Sequence, residues 1–211
     1  MKINEIKSLI PPFGVKVLTF GRFTDDRGYF TETHRKSDFM QELGFNLDLN
    51  IMQTNESYSK KGVVRGLHFQ WNPFMGKLVR TIMGRMIDMF LDIRKDSETY
   101  GKIFMYDMPS KYDDNKNEWI WIPPGFAHGN VFTEDTVIEY FCSGEYSPGC
   151  EAGINPLSED IDWSLCNQNL KDIFCELLRD NSIILSEKDR KGLTLLDWSK
   201  RNESNLFRMD L

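Results

Sequence analysis

Histidine is scarce in this chain. The 211 residues hold three, at His34, His68 and His128, and no two of them form an H-x-H pair. Cysteine is scarce too: the four are Cys142, Cys150, Cys166 and Cys175. None makes a C-x-x-C pair and no histidine lies at zinc-finger spacing, which argues against a structural zinc. A chain of this size does not need disulfide staples, so free thiols in a reducing cytoplasm are expected. Long apolar runs are missing. The best, MIDMFLDI, is broken by Asp88 and Asp92 and is too short to span a bilayer, and Met1 to Val15 lacks the apolar core of a secretory signal. Net positive charge is missing as well: the formal charge is -6, so neither nucleic acid nor an anionic membrane is an expected partner. An anionic ligand would need a local cluster of Lys and Arg. These absences leave an intracellular, soluble protein.

What is present is mostly strand signal. VKVLTF, YFTET, NIMQTNESYS, VVRGLHFQ, KLVRTIMG, MIDMFLDIR, IFMYDM, WIWIP, GNVF and TVIEYFC are rich in β-branched, aromatic or alternating residues. DDRG, NPFMG, PPG and SPG punctuate them. Many short strands at regular spacing predict an antiparallel sandwich or small barrel. Two helices interrupt the pattern. Ser37 is a candidate cap for DFMQEL, ended by Gly44, and His34 is expected exposed on this first helix. Leu170, Ile173, Phe174, Leu177 and Leu178 recur at amphipathic spacing from about Asn169 to Arg179. The tail RNESNLFRMDL reads as a frayed end. No repeat, low-complexity run or composition break marks a second domain. The expectation is one domain over 1–211, less regular and more helical from about 167.

Some strands carry polar faces. Residues i and i+2 of a strand share a side. Gln53, Asn55 and Ser57 therefore align, as do His68 with Gln70, and Thr136 with Ile138 and Tyr140. A barrel with a partly polar lumen accounts for all three faces, and the lumen would be a ligand cleft. Arg65 and His68, three apart, should point oppositely; a bulge at Gly66 would let both reach one pocket.

DDRGYFTE, QTNESYSKKGVVRGLHFQ, GKLVR, DIRKDSETYGK, WIPPGFAHG and YSPGCEAGI resemble the dTDP-4-dehydrorhamnose 3,5-epimerase family of nucleotide-sugar epimerases. The likeness runs from about Phe20 to Trp163, with an echo at LSEKD, where Ser186 to Asp189 lie. The resemblance implies a mainly β, cupin-type double-stranded β-helix (jelly roll) with a few peripheral helices, usually dimeric, with no metal and no other cofactor. It implies a nucleoside-diphosphate 4-ketosugar as substrate. The C4 ketone acidifies the protons at C3 and C5; a base removes one, an acid on the opposite face returns it, and a third group steadies the enolate oxygen.

By this resemblance His68 is the base, suited by an imidazole's ordinary pKa near 6.5. Asp189 orients it, Tyr140 is the acid, and Lys77 steadies the oxyanion. Tyr146 is the other candidate for the acid, although the family pattern sets it at the pocket rim. Arg27, Arg65 and Lys188 would bind the diphosphate through charge-assisted hydrogen bonds. Glu32, Gln53, Asn55, His128 and Glu151 match positions around the nucleotide and sugar. A cupin metal site needs several His and carboxylate ligands, and beyond His68 and His128 no further histidine ligand is evident.

The chain also departs from the family pattern. GFAHGF is GFAHGN here, with Asn130; INPLSED stands where a Trp-Asn-Asp run is usual; WNPFMG replaces the loop before GKLVR. These changes touch pocket edges. They leave open the nucleotide (dTDP, GDP or CDP), the sugar, and whether C3, C5 or both are inverted. A non-catalytic sugar-nucleotide-binding cupin and a metal-dependent cupin are the readings from other classes.

Overall fold

The computed structural model describes residues 3–9, 11, 14–35, 37–38 and 52–211. The helix expected over DFMQEL lies, apart from Asp38, outside the described residues, as do Asn50 and Ile51 of the strand expected from Asn50.

Among the described residues twelve strands dominate: β1 (Ile3–Ser8), β2 (Lys16–Gly21), β3 (Phe23–Asp25), β4 (Gly28–Phe30), β5 (Gln53–Ser59), β6 (Val64–Gln70), β7 (Lys77–Asp92), β8 (Ile103–Ser110), β9 (Lys116–Ile122), β10 (Phe126–Phe132), β11 (Thr136–Cys142) and β12 (Glu151–Gly153). All named pairings are antiparallel. KLVRTIMG and MIDMFLDIR, expected as separate strands, are one strand of 16 residues, β7. Its first half pairs with β9 and β11 and its second with β8 and β10. One sheet therefore runs β1-β2-β9-β7-β11-β5 and the other β8-β7-β10-β6-β12, the two wings of a jelly roll that share β7.

Gly84 makes the sharing possible. Pairing moves from one sheet to the other at this residue, whose φ is +91°; a Cβ there would lie 2.4 Å from the Asp135 carbonyl oxygen. Only glycine combines that conformation with so close an approach. Beyond Gly84 the strand alternates. Met86 and Phe90 pack between the sheets with Val17, Val79, Phe104, Phe126, Phe132 and Ile138. Ile87, Met89 and Leu91 face the other way, against the C-terminal segment.

That segment holds α1 (Gln168–Arg179), α2 (Glu187–Arg190), α3 (Leu195–Ser199) and a 3₁₀ turn (Asn202–Leu206). Asn167 caps α1, its side chain accepting from the Leu170 amide. The tail is not a frayed end. Phe207 is 1% exposed and stacks edge-on against Phe69, Phe74 and Trp198. An aromatic cluster of this kind gains several kcal/mol from burial, at roughly 1.5–3 kcal/mol per large apolar side chain, enough to hold a short polar tail in place.

The β7–β8 turn is fixed by a buried ion pair. Arg94 donates to both Asp92 oxygens at 2.9 and 2.6 Å, and Ser97 and Thr99 add hydroxyl donors to Oδ2. The Arg94 guanidinium lies over the Phe126 ring at 4.3 Å. This ties DIRKDSETYG to the start of β10, the strand that carries His128.

Candidate active site

The space between the sheets is apolar at one end and polar at the other. At the polar end a cleft opens in two lobes. The first, about 520 Å³, is lined by Ser57, Arg65, His128, Asn130, Ile138 and Leu185 among others. The second, about 270 Å³, is lined by Gln53, Asn55, Gln70, Met75, Cys142, Tyr146 and Glu151 among others. His68, Lys77, Tyr140 and Lys188 belong to both, so the groups proposed for chemistry stand where the lobes meet.

Strand β6 reaches this point by changing phase. Against β10, His68 pairs with His128 and Arg65 with Asn130. Three steps on β6 face two on β10, which is a bulge at Gly66–Leu67. Val64, Leu67 and Phe69 all join the core on the outer face, while Arg65 and His68 both line the first lobe. Regular alternation would have sent one of them outward. Gly66 fits because its φ is +114° and a Cβ would lie 2.6 Å from Gly129 Cα.

His68 Nε2 lies 2.6 Å from Asp189 Oδ1. Asp189 sits on α2, is 6% exposed, and its amide is capped by Ser186 Oγ at 3.0 Å. Burial alone would raise its carboxyl. Hydrogen bonds from His68 and Ser186, the imidazole's charge and the Gly66 amide outweigh burial and hold it below the usual carboxylate range. Whenever the ring is neutral, a carboxylate there favours the tautomer with the proton on Nε2 and the lone pair on Nδ1. Gly153 completes the seat: a Cβ on it would come within 3.1 Å of His68 Cδ2.

Tyr140 comes from the facing sheet, paired with Asn55 and Val79. Burial, then the nearby Cys142, push its phenol up, with Arg65 pulling the other way. It therefore keeps its proton at neutral pH. Lys77 begins β7 opposite Cys142. Burial pushes its ammonium down, against the pull of Cys142, Asp88 and Glu151.

His128 Nε2 is 2.7 Å from Asp88 Oδ1, and Asn130 Nδ2 donates to the same oxygen at 2.6 Å. Asp88 is 0% exposed and its Oδ2 has no partner among the described residues. Arg65 lies at the mouth, with Nε on Ser59 Oγ at 2.9 Å and Nη2 on the Tyr58 carbonyl at 3.2 Å. Gln53 Oε1 accepts from the Tyr146 amide and Gln53 Nε2 donates to Asn55. At the rim Glu151 accepts from Tyr146 Oη at 2.9 Å and from Lys188 at 2.9 and 3.0 Å. Burial opposes ionisation of Glu151, but those two donors more than offset it and lower its pKa.

Two expected residues are elsewhere. Arg27 lies in the β3–β4 hairpin, its side chain 90% exposed and paired with Asp25. Glu32 follows the hairpin and pairs with Arg35 at 2.6 Å. Neither lines the cleft of its own chain. His34 is not exposed on a helix; it is half-buried, edge-on to Phe141 at 5.5 Å, and burial pushes its imidazole down. Conversely, Cys142 and Ser186 belong to the site and were not among the expected residues. Cys142 had a signal, since it continues the face of Tyr140 two residues on. Asp88 had one as well: a carboxylate on the inward phase of an otherwise apolar strand.

The family model described as dTDP-4-dehydrorhamnose 3,5-epimerase matches residues 11–197. The chain is 41% identical over 188 residues to the dTDP-4-dehydrorhamnose 3,5-epimerase of Methanothermobacter thermautotrophicus, covering 88% of each. It is 37% identical to that of Shigella flexneri, covering 81% of this chain and 92% of the relative. Among solved structures, the dTDP-4-dehydrorhamnose 3,5-epimerase of Sulfolobus tokodaii superposes with a TM-score of 0.72 at 34% identity, over 91% of this chain and 95% of that one. A dTDP-6-deoxy-D-glucose-3,5-epimerase from Legionella pneumophila, in complex with dTDP-4-keto-L-rhamnose, gives 0.77 at 28% identity over 97% of both.

Proposed function

The chain belongs to the dTDP-4-dehydrorhamnose 3,5-epimerase family, an isomerase family of deoxysugar biosynthesis, and from that premise we propose how its cleft divides the work. The substrate is a dTDP-linked 4-keto-6-deoxyhexose. His68 takes the proton beside the ketone through Nδ1, and Asp189 stabilises the imidazolium that results. Lys77 stabilises the enolate oxygen by charge. Tyr140 returns a proton from the other side of the ring. The observation that carries this reading is the placement of His68 and Tyr140 on opposite sheets with both lobes between them. Removal at one face and return at the other inverts the carbon.

The remaining polar groups suit the nucleotide. Arg65 has no carboxylate partner among the described residues and stands ready for a diphosphate. Lys188 can join it by exchanging Glu151 for a phosphate oxygen. Gln53, Asn55, Tyr146 and Glu151 would hold the nucleoside in the second lobe, and His128 the sugar in the first. Arg27 and Glu32 fit the substrate role only if the β3–β4 hairpin reaches a second copy's cleft. Phe23 and Phe30 on that hairpin are 62% and 69% exposed, an apolar pair suited to burial in a homodimer. Mixing Arg27→Ala with His68→Ala protein should then restore activity, because one cleft of each mixed dimer is intact. No restoration in mixed dimers overturns the arrangement.

Packing of Trp198 and Phe207 into the sheet's core supports treating 1–211 as one functional unit. The four free cysteines support a cytoplasmic setting. Among the described residues no helix is long and apolar enough to cross a membrane.

Proton NMR in heavy water tests the activity. Deuterium should enter C3, C5 or both of dTDP-4-keto-6-deoxyglucose. No exchange with dTDP-, GDP- or CDP-linked ketosugars would end the reading.

A further inference from the structure

Asn130 occupies an unusual position in the first lobe. It is 6% exposed, yet it borders the cavity. Its Nδ2 donates to Asp88 Oδ1 at 2.6 Å and to Met86 Sδ at 3.1 Å. Both partners are acceptors, so the amide has one stable orientation; reversing it would set an oxygen against a carboxylate. That orientation leaves Oδ1 with no hydrogen-bond partner among the described residues, and it is not one of the buried unpartnered atoms, so it keeps access to the cavity that Asn130 lines. Across the lobe, on β5, the buried Ser57 Oγ also has no partner.

An acceptor held at a cavity wall by its own amide's bonds needs something in the cavity to donate to it. Water or ligand must do so, and the ligand of this lobe is a polyhydroxylated ring. We propose that Asn130 is a specificity-determining residue that accepts a hydrogen bond from a hydroxyl of the bound ketosugar. The inference rests on the epimerase reading and adds to it a particular demand on the sugar. An apolar side chain at this position would accept a methyl group or a bare carbon as readily. Asn130 instead discriminates against a substrate that lacks the donor, because the bound sugar then covers the acceptor without pairing it.

The test is a cycle between side chain and substrate. Deuterium exchange is measured for the wild type, Asn130→Leu and Asn130→Ala. The substrates are dTDP-4-keto-6-deoxyglucose, its 2-deoxy and 3-deoxy analogues, and dTDP-4-ketoglucose, which keeps the 6-hydroxyl. Both variants should lose about 10- to 100-fold in kcat/KM on the sugar that carries the read hydroxyl. On the analogue lacking that hydroxyl they should lose less than about threefold. A merely structural role would lower kcat/KM by one common factor on every sugar, and that result overturns the proposal. So does no loss on any. Should neither variant fold, the wild-type complex with a dTDP-sugar decides. A sugar hydroxyl within about 3.2 Å of Asn130 Oδ1 supports the assignment, and a nearest hydroxyl beyond about 4 Å refutes it. Failure of the epimerase reading looks different, since the wild type then exchanges nothing, and this inference falls with it.

Discussion

Replacing Asp189 with Asn tests the heart of the proposed mechanism with the smallest change of shape. The carboxylate lies 2.6 Å from His68 Nε2, and the centres of the two charged groups stand about 4 Å apart once the imidazole is protonated. At an effective dielectric near 20 that attraction is about 4 kcal/mol. The His68 side chain is 34% exposed, so solvent screens part of it, and about 2 kcal/mol is a fairer figure. At 1.36 kcal/mol per decade, the loss is about 30-fold in the proton-abstraction step. The amide adds a second penalty. It can turn its NH₂ toward Nε2 and stabilise the tautomer with Nδ1 protonated, which is not a base. Single-turnover deuterium exchange should therefore fall about 30- to 100-fold, while KM should change much less, because the proposed role of Asp189 is exerted through His68. Asp189→Asn combined with His68→Ala should be no worse than His68→Ala alone, since both act through one imidazole. Exchange within threefold of the wild type would refute the dyad and return Asp189 to a purely structural role.

Tyr140→Phe should keep exchange beside the ketone, because His68 still removes the proton, but should lose inversion; NMR of the sugar's coupling constants separates the two, and equal loss of both in this variant would contradict the assigned roles. Lys77→Met should abolish turnover yet raise the melting temperature by about 2–4 °C, the shift that roughly 1 kcal/mol produces in a chain of this size. The sign follows from burial, which lowers the folded pKa of Lys77: the unfolded chain binds more protons between the two pKa values, so wild-type stability rises with pH there and the methionine's advantage shrinks. Asp92→Ala should cost about 3–5 kcal/mol by taking the carboxylate from the buried Arg94, read by urea denaturation. Burial opposes ionisation of Asp92, but Arg94, Ser97 and Thr99 together hold its carboxyl low; its contribution is therefore present above the unfolded carboxylate pKa and lost as pH falls through the folded one.

The strands and the chemistry were legible for different reasons. Alternation and turn residues located most of the sheet, and Leu170 to Leu178 located α1 to within a residue at its start. RGLHFQ and WIPPGFAHG singled out His68 and His128 through the family resemblance that those two motifs carry, and both residues line the first lobe. What escaped was everything set by long-range pairing. Nothing local shows that KLVRTIMG continues through Gly84 into MIDMFLDIR, since a glycine followed by an arginine also ends strands. Nothing in RNESNLFRMDL shows that Phe207 finds Phe69, Phe74 and Trp198. Arg27 in the hairpin and Glu32 just after it were legible as motif and not as place, because the motif does not say that the hairpin stands away from the cleft of its own chain. Cys142 was overlooked as a pocket residue because a buried thiol reads as a small hydrophobe.

The shared strand explains why this fold suits a reaction with two faces. An inversion needs a base and an acid held on either side of one carbon, at a separation that does not drift. Here the two sheets are not merely packed together. β7 runs through both, carrying Lys77 in its first half and Asp88 in its second, with the turn at Gly84 between. Tyr140 is paired to the first half directly, and His68 to the second through one intervening strand, β10. The proposed acid, oxyanion partner and base are thus three short steps apart on one hydrogen-bonded ladder, even though they face each other across open space. Loosening the bend at Gly84 would move the two walls relative to each other without touching a single group in the cleft. The bulge at Gly66 does the complementary task within one wall, setting His68, the proposed base, and Arg65, the proposed diphosphate ligand, on the same side.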